Sequence, residues 1–156
     1  MQTNIESFLP HSGEMVLIDE IVEVGADFIT TKMFVKNHQI FCEILQDSNA
    51  DSTQWLVFPT HKSIELMAQS LGIFRSFNKQ GAKNRLGFLL GARKFKILMP
   101  FIRDEATIKA TLSMQDSSGF SIWDCEIYES DILLCSANLS VLNPNDDFID
   151  NLKGKK

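Results

Sequence analysis

Between Pro59 and Asn78 the apolar side chains recur at three- and four-residue intervals: Ile64, Met67, Ala68, Leu71 and Phe74 share one face, and Ile73 and Phe77 widen it. This spacing predicts one largely buried helix, with Thr60 after Pro59 able to cap its start and Asn78 and Gly81 bracketing its end. Elsewhere the pattern is that of strands. Met15 to Val24 is rich in branched residues, and Phe28 to Val35 follows a Gly25-Ala26-Asp27 turn, which predicts a first hairpin. After the helix, Arg85 to Met99 reads as a long strand that Gly87 and Gly91 can bend and Pro100 should stop. Ala106 to Met114, Phe120 to Tyr128 and Ile132 to Leu142 then follow at hairpin spacing, turned by Ser117-Ser118-Gly119 and Ser130-Asp131. Ile108, Ala110, Leu112 and Met114 alternate with Thr107, Lys109, Thr111 and Ser113, as in a sheet with one face covered. The order predicts an α+β fold in which one long helix is wrapped by a curved, mostly antiparallel sheet.

At 156 residues and 44% hydrophobic, the chain can close one core, and no apolar run approaches the ~20 residues of a membrane-spanning helix. We expect one domain over residues 1–143 and a polar tail over 144–156, with Asp47 to Gln54 a polar loop. Met1 to Phe8 lacks the cationic start and apolar core of a secretory signal, so a cytoplasmic protein is expected. Cys42, Cys125 and Cys135 form an odd set without CxxC spacing, which points to small buried hydrophobes rather than disulfides or zinc. The histidines lack metal-site spacing, the glycines form no phosphate loop and no serine elbow is present, so neither metal nor cofactor is expected.

A net charge of −5 argues against nucleic-acid binding, but the charge is uneven. From Glu65 to Asp104 no acidic residue intervenes, while Arg75, Lys79, Lys83, Arg85, Arg93, Lys94, Lys96 and Arg103 do. This interval is either a solvated basic face or a docking surface for an anionic partner.

Glu65 and Gln69 stand four apart on the helix with Gly72 three beyond, so all three lie on one stripe distinct from the apolar face. Glu65 reads either as a solvent-facing carboxylate that the helix N-terminus favours or as a partly buried acid or base. His61, four residues earlier, can meet it on the same face; His11 precedes the first strand, and His38 stands beside a turn.

Leu9-Pro10-His11 with Met15-Val16-Leu17-Ile18-Asp19, the run Ile64-Glu65-Leu66-Met67-Ala68-Gln69-Ser70-Leu71-Gly72, and Gly91-Ala92-Arg93-Lys94-Phe95-Lys96 closed by Met99-Pro100 together resemble the hot-dog-fold 3-hydroxyacyl-carrier-protein dehydratases of the FabZ type. The ELMAQ wording and the chain length are closer still to the ApeP-like branch, associated with aryl polyene biosynthesis in bacteria. The resemblance implies a dimer, of two copies or with a homologous dehydratase, whose active sites lie at the interface and remove water from a 3-hydroxyacyl thioester. Glu65 falls on the family's catalytic carboxylate, while the histidine of its Gly-His-Phe-Pro stretch has no counterpart between Ile40 and Phe58. His11 is then the first candidate to replace it and His61 the second, with Pro10, Gln69 and Gly72 bordering the substrate. Acyl carrier protein is acidic and carries a phosphopantetheine phosphate, so Arg93, Lys94 and Lys96 become candidate docking residues. The missing motif also leaves open a non-catalytic subunit that pairs with an active dehydratase, or a thioesterase.

Overall fold

The computed structural model describes residues 5, 9, 13–46, 53–78 and 88–143. Pro10, His11, Gly81, Gly87, nearly all of the Asp47 to Gln54 loop and the tail 144–156 lie outside the described residues. In chain order the elements are β1 (Glu20–Val24), β2 (Phe28–Phe34), β3 (Glu43–Gln46), β4 (Gln54–Pro59), α1 (Ser63–Asn78), β5 (Phe88–Ile97), β6 (Phe101–Ile102), β7 (Glu105–Gln115), β8 (Phe120–Glu129) and β9 (Ile132–Leu142).

Six strands form the main sheet in the order β1-β2-β7-β8-β9-β5, every neighbour antiparallel. The helix packs across its inner face, turned from the face the apolar spacing predicted: Leu66, Met67 and Ile73 are fully buried with Ile29 and Met33 of β2, Ile108 of β7, Ile127 of β8 and Leu139 of β9, whereas Ile64, Ala68 and Phe74 are half-buried and Phe77 is exposed. Within this apolar layer the Ser70 hydroxyl donates to the Leu66 carbonyl at 2.9 Å and stands 2.8 Å from the Thr31 hydroxyl of β2, which fixes the helix over that strand with both groups satisfied.

Three local expectations are corrected. The first strand begins at Glu20 rather than Met15, because Gly13–Met15 is a 3-10 turn and the backbone N–H of Leu17 goes to a helix side chain instead of a neighbouring strand. Thr60 does not cap the helix: it lies in a 3-10 turn, Thr60–Lys62, its N–H bonds to the Pro100 carbonyl at 2.9 Å, and its buried hydroxyl has no hydrogen-bond partner. A second sheet, β3-β4-β6, for which no strand was expected, flanks the stretch read as loop and shares only Gln54 with it. Its strands are too short to show a period, and β4 pairs with β6 through only Phe58 with Ile102 and Pro59 with Phe101.

The cysteine reading holds in part. Cys125 and Cys135 are buried, which pushes their thiols up to about 12 and about 11, while Cys42 is half-buried and raised by burial against the opposing charge of Lys62.

Strand β5 is an edge with two unlike faces. Leu89 and Ile97 stand opposite Val141 and Cys135, which face the core, yet they remain 43% and 44% exposed. Arg93 and Lys96 stand opposite the outward Asn138 and Ser136, and the register shifts between them where Lys94 takes a φ of 54°.

The turn before β7 is held by Glu129, whose carboxylate accepts the backbone N–H groups of Arg103 at 2.9 Å, Asp104 at 2.7 Å and Glu105 at 2.9 Å. Glu129→Ala leaves three donors unanswered, and we expect it to lower the unfolding free energy by about 1–3 kcal/mol. A urea titration should show a lower midpoint with an unchanged slope.

Candidate functional site

The stripe Glu65, Gln69, Gly72 is where the chain ahead of β1 meets the helix. Gln69 is buried at 1% exposure, with its oxygen and both its N–H groups hydrogen-bonded. Its Oε1 accepts the Leu17 N–H at 2.8 Å, while its Nε2 donates to the Met15 carbonyl at 2.8 Å and to Oε1 of Glu65 at 3.0 Å. One turn on, a Cβ at Gly72 would stand 2.9 Å from the Cδ2 of Leu9, so the missing side chain is what lets Leu9 lie against the helix. Leu9 and residues 13–17 are thus laid over the stripe. The tight approach to Met15 uses Gly13, whose φ of 58° is in the left-handed region.

The expectation that Glu65, Gln69 and Gly72 share a stripe is therefore met, with burial differing along it. Gln69 is covered by the segment it binds, and Glu65, near the start of the helix, is exposed. Its carboxylate is oriented by Gln69 while remaining open to solvent, an arrangement that suits proton exchange with a bound molecule. His61 is exposed in the turn before the helix and is not joined to Glu65 by a hydrogen bond or ion pair among the described residues. Pro10 and His11 belong to the undescribed stretch between Leu9 and Gly13. Arg93, Lys94 and Lys96 are exposed on β5, away from the stripe. No group of histidine, cysteine and carboxylate side chains that could hold a metal occurs among the described residues.

Sequence reasoning passed over the partner of His38. Its Nε2 lies 2.8 Å from Oδ2 of Asp19, which also accepts the Phe34 N–H at 2.6 Å, while Asp19 Oδ1 accepts the Asn37 side-chain N–H at 3.0 Å. His38 is buried and the pair ties the turn after β2 to the entry of β1. The signal available was a carboxylate directly after the apolar run Val16-Leu17-Ile18, where a buried partner is required.

Gln69→Leu keeps the volume of the side chain but strands the Leu17 N–H and the Met15 carbonyl. We expect a loss of about 2–4 kcal/mol. Amide exchange at Leu17 should accelerate well beyond that of the β8 and β9 amides.

Comparison with known proteins agrees with this architecture. A family model for ApeP-like proteins, described as ApeP dehydratase, matches residues 3–153. The structure of the dehydratase heterocomplex ApeI:P from Xenorhabdus doucetiae aligns with a TM-score of 0.74 at 23% identity, covering 99% of this chain and 100% of that one. The conserved protein PA5202 from Pseudomonas aeruginosa gives 0.61 at 14% identity over 89% and 98% of the two chains. The thioesterase HI1161 from Haemophilus influenzae gives 0.55 at 21% identity over 81% and 78%. At such identities these structures speak for the fold, which is the expected hot-dog arrangement of one helix against a curved antiparallel sheet. No helix among the described residues is long and apolar enough to cross a membrane. With a family match running almost from end to end over that fold, the chain belongs to the ApeP-like dehydratase family.

Proposed function

We propose that the chain is a subunit of a 3-hydroxyacyl-[acyl-carrier-protein] dehydratase of aryl polyene or fatty-acyl type biosynthesis, that Glu65 is its proton-transfer group, and that it works paired with a second hot-dog chain. The observation that carries this reading is the bridge from Glu65 through Gln69 to Met15 and Leu17, which places an oriented, accessible carboxylate beside the chain leading into β1. Loss of water requires removal of the proton next to the thioester carbonyl and protonation of the departing hydroxyl. Glu65 serves one of these roles. His11 is the candidate for the other, because it lies in sequence between Leu9 and Met15, both anchored on the Glu65 stripe. His61 has no such support.

The case for a partner comes from β5. Its edge, unpaired among the described residues, and its exposed inner residues Leu89 and Ile97 suit addition of another strand. Two copies joined antiparallel through this edge would bring Arg93, Lys94 and Lys96 of each close to those of the other, and like charges across a strand pair are unfavourable. A different hot-dog chain with a neutral or acidic edge avoids this cost, and the Xenorhabdus doucetiae relative is itself part of a dehydratase heterocomplex. The outward basic side chains of β5 then remain available to an acidic carrier protein.

The alternative of a non-catalytic subunit is favoured by the exposure of Glu65. The two readings separate in one assay: a 3-hydroxyacyl thioester on carrier protein is incubated with the chain and a hot-dog dehydratase partner, and products are followed by mass. We expect enoyl thioester, with turnover reduced about 100-fold or more in Glu65→Gln. Undiminished turnover in Glu65→Gln would make the chain a supporting subunit, and release of free acid would make it a thioesterase.

A further inference from the structure

Three hydrogen-bonded ties join the elements around Glu65 into a closed ring. Gln69 holds the chain ahead of β1, through the Leu17 N–H at 2.8 Å and the Met15 carbonyl at 2.8 Å. Two residues after Leu17, Asp19 holds the turn that follows β2, its Oδ2 standing 2.8 Å from Nε2 of His38. That turn reaches back to the start of the helix, where Lys62 donates through Nζ to the Phe41 carbonyl at 3.0 Å. Glu65 comes three residues after Lys62 and four before Gln69, so it stands within about one helical turn of each. Lys62 is exposed, which leaves the Asp19–His38 pair, with side chains 15% and 5% exposed, as the sheltered bond that closes the ring.

Both members of that pair are held in place by their own surroundings. The Asp19 carboxylate also accepts the Phe34 N–H at 2.6 Å and the Asn37 side-chain N–H at 3.0 Å, and the Asp19 N–H donates to the Lys32 carbonyl at 2.9 Å. An oxygen that already accepts an N–H makes Nε2 of His38 the donor. The His38 N–H goes to the Val35 carbonyl at 3.0 Å, and the His38 carbonyl accepts the Phe41 N–H at 3.0 Å and the Cys42 thiol at 3.1 Å. Between Leu17 and Asp19 stands only Ile18, 2% exposed in the core, so a displacement of Asp19 is passed to Leu17 rather than absorbed by a loop. We infer that His38, acting through Asp19, is a positioning residue for Glu65: its bond fixes the segment from which Gln69 takes its orientation, and Gln69 in turn orients the Glu65 carboxylate at 3.0 Å. His38 does not itself touch the reacting atoms. The inference rests on the proton-transfer role proposed for Glu65 and adds to it a residue from a separate turn of the chain.

The test uses the full chain with its dehydratase partner and a 3-hydroxyacyl thioester on carrier protein. His38→Ala removes the closing bond, whereas His38→Gln keeps an N–H donor within reach of Asp19. We expect His38→Ala to lower kcat about tenfold at unchanged KM, and His38→Gln to stay within about threefold of the parent. In a Glu65→Gln background His38→Ala should cost nothing further, because it acts through that carboxylate. Asp116→Ala removes three hydrogen bonds from the β7–β8 hairpin, about 30 Å along β7 from the end that meets Phe34, so it lowers stability without touching the ring and should keep the parental kcat. Amide exchange reads the ring without turnover: relative to the β8 and β9 amides, Leu17 should exchange about tenfold faster or more in His38→Ala. Should His38→Ala fail to fold, His38→Asn, too short to reach Asp19, takes its place. Parental kcat, a loss that His38→Gln does not restore, a loss that Asp116→Ala matches or that persists in the Glu65→Gln background, or unmoved Leu17 exchange would overturn the role of His38. Undiminished turnover in Glu65→Gln alone, or none in the parent, would overturn the Glu65 reading and the positioning role with it; Leu17 exchange, which needs no turnover, tells that failure from a failure of the ring.

Discussion

One buried carboxamide governs the geometry of the candidate site. Gln69 sits on the helix at 1% exposure and must find partners for an oxygen and two N–H groups, since each left unmade in the interior costs about 1–3 kcal/mol. The backbone of Met15 and Leu17 answers two of these needs and Glu65 the third. Because the Leu17 N–H is engaged there, β1 starts only at Glu20, and because Gly72 has no side chain, Leu9 can lie one turn further along the same stripe. The path of the chain before β1 and the orientation of the Glu65 carboxylate are thus two results of a single set of hydrogen bonds.

That dependence explains which parts of the structure could be read from the sequence. The central helix and the strands β2, β7, β8 and β9 are long enough for periodicity to show, and β9 has the bounds its pattern predicts. The stretch from Gly13 to Ile18 contains Val16, Leu17 and Ile18 and so resembles a strand, but the N–H groups of Val16 and Leu17 go to a turn and to a helix side chain that no local pattern reveals. Strands β3, β4 and β6 gain their pairing from residues distant in sequence, and the Asp19–His38 pair is likewise a tertiary contact. Glu65, Gln69 and Gly72 were legible as a stripe from their spacing alone. That Gln69 would be buried and Glu65 exposed was not, because burial there is decided by the segment that crosses the helix.

The second organising feature is the unfinished edge at β5. A strand whose core-facing residues are nearly half exposed has an apolar face that the described residues leave partly open, and its outward face concentrates Arg93, Lys94 and Lys96. The bulge at Lys94 lets both characters coexist on ten residues by resetting the alternation between Arg93 and Lys96. Pairing and carrier-protein docking, both proposed for this strand, would then use opposite faces without competing.

In the proposed reading the Gln69 assembly holds Glu65 where it serves one of the two proton transfers of water loss, so disturbing it slows the reaction at C2. The most direct measurement is deuterium wash-in at C2 when the enoyl thioester on carrier protein is hydrated in D2O by the chain and its dehydratase partner. We expect one deuterium at C2 in the 3-hydroxyacyl product, incorporated much more slowly when folded Gln69→Leu replaces the parent chain. Wash-in at the parental rate with that variant would contradict that reading.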